Sequence, residues 1–249
     1  MRRVQAGTSR KSYPGKRGIA KRDSAGYPSR TVMPVPFQDH DTLLFIGDSI
    51  TDCGRDRPVG EGPGLGSGYV SLVNAALGAR VPEKHIRVLN TGVSGDRVVD
   101  LRARWQADAL DHKPDWLSIL VGINDVWRQF DHPEWAPRRQ VTPGNFKKGL
   151  HELRASVVGK VKGVFLLSPF FLELNPGDRM RAVMDRYRGI VREVASDEGA
   201  RFVDLQEAFD RYLAERLSQT IAADRVHPNL TGHQIIADAF LAAAQLPLA

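Results

Sequence analysis

The stretch "LLFIGDSITDCGR", residues 43–55, decides how the rest of the chain is read. Its first four residues, Leu43 to Ile46, form an unbroken apolar run closed by Gly47, the mark of a strand buried on both faces. The run ends by presenting Asp48 and Ser49, and a polar segment follows through Asp52 and Arg55. Serine is a favoured helix N-cap, so Ser49 reads either as the cap of a following helix or as a nucleophile held at a strand end. The choice turns on whether the chain carries partners for it.

From residue 42 onward, short aliphatic runs at 43–46, 86–89, 117–121, 164–168 and 201–203 alternate with amphipathic stretches near 67–78, 96–111, 143–159, 178–198, 205–218 and 230–244. That rhythm predicts right-handed βαβ units and an α/β domain on a five-stranded parallel sheet. No internal repeat or second core interrupts it, so one domain is expected. Ligands of such sheets sit in the crevice beyond the carboxyl ends of the strands. The polar clusters placed there are "GDS" at 47–49, "NTGVSGDR" at 90–97 and "GINDVWR" at 122–128. A fourth, "ADRVHPNLTGH" at 223–233, precedes the last helical stretch.

The composition is that of a globular chain of 249 residues, 42% hydrophobic and 26% charged, long enough for one substantial core. Of the net charge of +6, residues 1–30 carry +8, from nine Lys and Arg against Asp23, which leaves the remainder at −2. This basic segment is rich in Gly, Ser and Pro and lacks apolar periodicity. It is expected to be a disordered extension over 1–36, ahead of a catalytic domain over 37–249. Its twin arginines have no apolar region behind them, which argues against a secretory signal, and Met33 is an alternative start. The lone Cys53 excludes an internal disulfide and, with apolar runs too short to span a bilayer, points to the cytoplasm.

A serine hydroxyl needs a base within hydrogen-bond reach, oriented in turn by a third group. Asp224 and His227, three residues apart in a loop closed by Pro228, can fold a carboxylate onto one ring nitrogen and leave the other for Ser49. Acyl transfer also needs donors for the oxyanion. Gly92 can bring its backbone N–H close to a substrate, Asn124 can project a side-chain amide, and Ser49 N–H at a helix start adds a third donor. Each match alone is ordinary: a turn glycine, a loop asparagine, a local Asx turn.

Together they resemble the SGNH, or GDSL, hydrolase superfamily, whose blocks contribute Ser, Gly, Asn and His, over residue 42 to the C-terminus. The longer strings "LLFIGDSITDCGR", "RARWQAD", "KPDWLSILVGINDVWRQFD" and "DRVHPNLTGH" are similar to the intracellular bacterial acetylxylan esterases of that superfamily. The resemblance implies a three-layer α/β/α sandwich of flavodoxin-like SGNH type. It implies Ser49 as nucleophile, His227 as base, Asp224 as its orienter, and Gly92 with Asn124 in the oxyanion hole. It also implies acetylated xylo-oligosaccharide substrates and no metal or organic cofactor. One departure is Ala223, where those relatives carry a Trp before the catalytic Asp.

Arg55, Trp127 and Arg128 lie within a few residues of these groups and are candidates for sugar contacts, since aromatic and guanidinium faces suit sugar rings. Cys53 reads as packing, Trp105 and Trp116 as core, and His233 as structural in the last helix. "QDHD" at 38–41 reads as a solvated loop rather than a metal site. The rival readings are a lysophospholipase or thioesterase on other acyl esters, and a catalytically silent protein whose basic arm contacts nucleic acid. The full set of catalytic residue types disfavours the latter. A homo-oligomer is compatible with the sequence.

Overall fold

The computed structural model describes residues 35–131 and 140–246. The basic extension up to residue 34 and Trp135, which the sequence offers beside Trp127 to bound a short acyl pocket or stack on sugar, lie outside these residues. Six strands, β1 (Thr42–Gly47), β2 (Gly60–Glu61), β3 (Arg87–Asn90), β4 (Trp116–Leu120), β5 (Gly163–Leu167) and β6 (Arg201–Val203), form one sheet in the order β2-β3-β1-β4-β5-β6. The helices are α1 (Ser49–Asp52), α2 (Tyr69–Arg80), α3 (Val98–Asp108), α4 (Ile123–Trp127), α5 (Pro143–Ala155), α6 (Arg179–Asp197), α7 (Leu205–Leu213) and α8 (Leu230–Ala243).

Period-two alternation along the strands builds the layers. Leu43 and Phe45 of β1, Phe165 and Leu167 of β5 face a core shared with Tyr69 and Val73 of α2, Phe209 of α7 and Phe240 of α8. Leu44 and Ile46, Val164 and Leu166 face the opposite core, with Leu101 and Trp105 of α3, Phe146 and Leu150 of α5, and Met184 and Tyr187 of α6. Because both faces are covered, the strands read as continuous apolar runs, and the result is a three-layer α/β/α sandwich. Phe45 is fully buried between Tyr69 and Phe240, with ring centroids 5.6 and 5.1 Å away. Burial of one such ring contributes about 1.5–3 kcal/mol.

The five expected strands are all present and mutually parallel, but the sheet has a sixth. β2 pairs antiparallel to β3 through Gly60 with Asn90 and Glu61 with Leu89. Two residues inside "VGEGPGLGSG" carry no strand signature of their own. Tertiary contacts place them: Asn90 Nδ2 donates to Thr51 O (2.7 Å) and Leu65 O (2.9 Å), and Glu61 forms a two-pronged ion pair with Arg87 (2.7 Å each).

β1 lies between β3 and β4, so the chain reverses its direction of growth across the sheet there. That switch point opens a crevice at the carboxyl ends of three strands. Ser49 follows β1, the 91–96 loop follows β3, and Asn124 follows β4. Among the described residues no helix is long and apolar enough to cross a membrane.

Candidate active site

Asp48, and not Ser49, caps α1: its side chain accepts from Ile50 N–H at 3.0 Å, which leaves the Ser49 hydroxyl free for another partner. That partner is His227. Ser49 Oγ lies 2.9 Å from His227 Nε2, and His227 Nδ1 lies 2.7 Å from Asp224 Oδ2. Asp224 Oδ1 also accepts from Val226 N–H (2.9 Å) and His227 N–H (2.8 Å). Burial tends to raise the Asp224 carboxyl, but these hydrogen bonds outweigh it and hold the group below its ordinary value. An ionised carboxylate only accepts, so Nδ1 carries the proton and the Nε2 lone pair faces the Ser49 hydroxyl.

The loop that presents the pair is tied down at several points. Arg225 adopts a left-handed φ of 62°, and its carbonyl accepts from Leu172 N–H at 3.0 Å. Asn229 N–H donates to Ile221 O at 2.7 Å, and the Asn229 side chain caps α8. The Trp127 ring stands edge-on to His227, with centroids 5.4 Å apart. His233, in the first turn of α8, accepts from Tyr69 N–H through Nδ1 (3.2 Å), and its Nε2 lies 3.3 Å from Cys53 Sγ. Burial pushes His233 down to about 4, so it is a neutral structural link and Cys53 its packing partner.

The structure corrects the expectation for Gly92. Its N–H donates to Asn90 Oδ1 at 2.9 Å, and its carbonyl accepts from Arg55 Nε (2.7 Å) and Arg57 (2.8 Å). A Cβ at Gly92 would lie 2.4 Å from Asp52 N, so glycine is required there for close packing on α1 and not for a donor. The N–H of this loop left without a protein partner among the described residues is that of Gly95, at φ 89°. Ser94 N–H and Oγ bind Asp52 Oδ2 (3.1 and 2.8 Å), and Val93 N–H binds Gly47 O (2.9 Å), which lays the turn beside α1. Asn124 is buried and donates from Nδ2 to Asp96 O at 3.1 Å, so one amide hydrogen locks the Gly95–Asp96 turn and the second remains.

Arg104 of α3, which sequence reasoning passed over, straps the same loops. It donates to Thr91 O (2.7 Å), Gly47 O (3.0 Å) and Asp96 Oδ2 (2.6 Å). Beneath the site, burial pushes Asp48 up to about 7 and Asp125 up to about 8. The floor under Ser49 is therefore poorer in negative charge than its sequence suggests.

Arg55, a candidate sugar contact, is buried, and its Nε and Nη1 donate to the carbonyls of Gly92 (2.7 Å), Asp56 (2.9 Å) and Pro58 (2.6 Å), which makes it a tie between the loops around the site. Trp127 and Arg128 do border the site: the Arg128 guanidinium lies over the Trp127 ring, 5.0 Å from its centre, and pairs with Asp131. On the Asp224 side of the pair a cavity of about 270 Å³ is lined by Trp127, Phe130, Phe171, Asp131, Arg179 and Arg225. Apart from Trp127, these were not legible as site residues.

The sequence profile of the GDSL-like lipase/acylhydrolase family matches residues 45–235. The chain belongs to that family. This GDSL-like acylhydrolase is a carboxylic ester hydrolase, and it is similar to an acetylxylan esterase of Geobacillus stearothermophilus, with 48% identity over 201 residues, 80% of this chain and 91% of that protein. The crystal structure of the Geobacillus enzyme, Axe2, superposes with a TM-score of 0.82 at 46% identity, covering 84% of this chain and 96% of that one. The structure of LAE5, described as an alpha/beta hydrolase enzyme from the metagenome of Lake Arreo, superposes with a TM-score of 0.84 at 49% identity, covering 87% and 100%.

Proposed function

We propose that this GDSL-like acylhydrolase removes acetyl groups from xylo-oligosaccharides through an acetyl-serine intermediate. The observation that carries the mechanism is the continuous relay Ser49–His227–Asp224, at 2.9 and 2.7 Å. The similarity to the acetylxylan esterase supports the substrate. Ser49 Oγ attacks the acetyl carbonyl carbon as its proton passes to His227 Nε2, and the carbonyl oxygen becomes an oxyanion. The N–H groups of Ser49 and Gly95 and the second Nδ2 hydrogen of Asn124 receive that charge. Collapse breaks the bond to the sugar oxygen, which takes the proton from Nε2. Water then gives a proton to Nε2 and adds to the acetyl carbon; collapse breaks the bond to Ser49 Oγ, which takes that proton back from Nε2, and the acetic acid set free ionises to acetate. No step requires a cofactor. Cys53 has no thiol partner, which suits a cytoplasmic enzyme.

Asn124→Ala is expected to lower kcat about 10²–10³-fold with KM little changed, since on this reading its second amide hydrogen binds the oxyanion more strongly than the ground-state carbonyl. Steady-state kinetics with an acetyl ester would show it, and a loss confined to KM would assign Asn124 to substrate binding instead.

The substrate reading is tested by acyl length. A lipase-like enzyme gains up to about 0.8 kcal/mol for each buried CH₂ of its acyl chain, and needs an apolar groove to do so. The segments that flank Ser49, "TDCGRDRPVGEG" at 51–62 and "SGDR" at 94–97, are instead polar or glycine-rich. For esters of one alcohol, kcat/KM should fall steeply from acetyl to butyryl to octanoyl, and acetylated xylo-oligosaccharides should outpace lysophospholipid. Equal turnover of octanoyl and acetyl esters would overturn the acetylesterase reading and leave the serine mechanism standing.

A further inference from the structure

The amino ends of β1 and β3 carry a cluster that the ester chemistry does not use. Asp39 and His40 stand in the loop before β1, and His85 stands in the turn before β3. Asp39 Oδ1 lies 2.8 Å from His85 Nδ1, and Asp39 Oδ2 lies 3.7 Å from His40 Nε2. The two imidazoles stack with centroids 5.0 Å apart and planes 15° apart. One ligating atom from each of the three residues lies within 4.8 Å of the others, and all three residues are exposed. From the sequence, His40 lacked a second ligand cluster; the fold supplies one from 45 residues further along the chain.

The arrangement is built into the backbone. His40 and His85 both take left-handed conformations, at φ 63° and 44°, and His40 N–H donates to Lys84 O at 2.8 Å. Behind them, Asp41 is buried and accepts from Trp116 Nε1 (2.9 Å) and Gln38 N–H (2.8 Å), and its carbonyl accepts from Arg87 N–H (2.9 Å). The two segments are therefore cross-tied before any ion arrives. Among the described residues Asp39 pairs with no Lys or Arg, only with the two imidazoles.

We propose that Asp39, His40 and His85 form a surface site for a borderline divalent cation of the Zn²⁺, Ni²⁺ or Cu²⁺ class, completed by water. Two nitrogens and one carboxylate oxygen favour these ions over Mg²⁺ or Ca²⁺, which prefer all-oxygen shells. Zinc–ligand bonds of about 2.0–2.2 Å place tetrahedral donors roughly 3.4 Å apart, so the three exposed side chains draw in from the observed spacing and the stacked rings turn out of parallel for both lone pairs to meet one ion. The site lies at the end of β1 away from Ser49. Six strand residues separate them by roughly 20 Å. It would pin the entry loop to the β3 turn without touching the ester chemistry.

The test is calorimetric titration of the full chain with zinc chloride in a non-chelating buffer. It is run on the His227→Ala variant, so that the Asp224–His227 pair does not compete, with and without His40→Ala and His85→Ala. Saturable binding near one equivalent, weakened about tenfold or more by either substitution, is expected. A zinc-dependent rise in melting temperature should vanish in the same variants, whose metal-free melting temperature checks their fold. In the wild-type background the same two substitutions should leave metal-free esterase activity unchanged. Undiminished binding in both variants, or no binding below millimolar zinc, overturns the proposal.

Discussion

Replacing Ser49 by alanine is expected to lower kcat for acetyl esters about 10⁴–10⁶-fold while the protein stays folded. The His227 Nε2 lone pair faces Ser49 Oγ at 2.9 Å, and alanine puts no oxygen there to attack. The residual rate would come from the oxyanion donors and from substrate positioning, which survive the change. Stability should fall by no more than about 0.5–1.5 kcal/mol, the net worth of one hydrogen bond, because Asp48 and not Ser49 caps α1. Steady-state kinetics, a thermal melt and mass spectrometry after a serine-directed organophosphorus reagent check it together. Turnover within tenfold of wild type, or labelling of the alanine variant, would sink the mechanism.

Asp224→Asn should cost about 10³–10⁴-fold in kcat through the wrong tautomer of His227. The asparagine oxygen can keep the backbone bonds to Val226 and His227, so the loop holds. Its NH₂ group then replaces Asp224 Oδ2 opposite His227 Nδ1, a contact of 2.7 Å in the wild type. Nδ1 must now accept, which moves the ring proton to Nε2 and points a donor at a hydroxyl that needs a base. The loss should appear in kcat with KM little changed. A purely structural role would show instead as a lowered melting temperature with near-normal kcat, which would refute the tautomer argument.

How far the sequence was legible follows from how local each feature is. The five parallel strands could be read because burial on both faces writes continuous apolar runs into them, as in "TLLFIG". The Asp224–His227 loop could be read because three residues suffice to fold the carboxylate onto the ring. β2 could not be read, since Gly60 and Glu61 owe their pairing to Asn90 and Arg87 some thirty residues away. The choice between Gly92 and Gly95 was likewise tertiary. Both glycines stand in one eight-residue cluster, and only the Asn90 side chain on the Gly92 N–H, with Asp52 against its Cα, separates them. The one available signal was "SGD", a glycine ahead of an acid that locks a turn. Arg55 read as a sugar contact because the sequence does not show its side chain folding back on the nearby carbonyls of Asp56 and Pro58 and across to that of Gly92.

The hydrogen bond from Ser49 to His227 spans 178 residues of chain. During synthesis at roughly 5–20 residues per second, Ser49 therefore leaves the peptidyl transferase centre on the order of ten to forty seconds before His227. For that interval the nucleophile stands on a forming sheet without its base. The loop that carries the base runs straight into α8, which packs on α2, where His233 reaches Tyr69 and Cys53. Catalytic competence therefore needs the C-terminal part of the chain in place. Regain of esterase activity after dilution from denaturant would time the docking of the C-terminal helix, and every truncation ending short of it should be inert however well its sheet has formed.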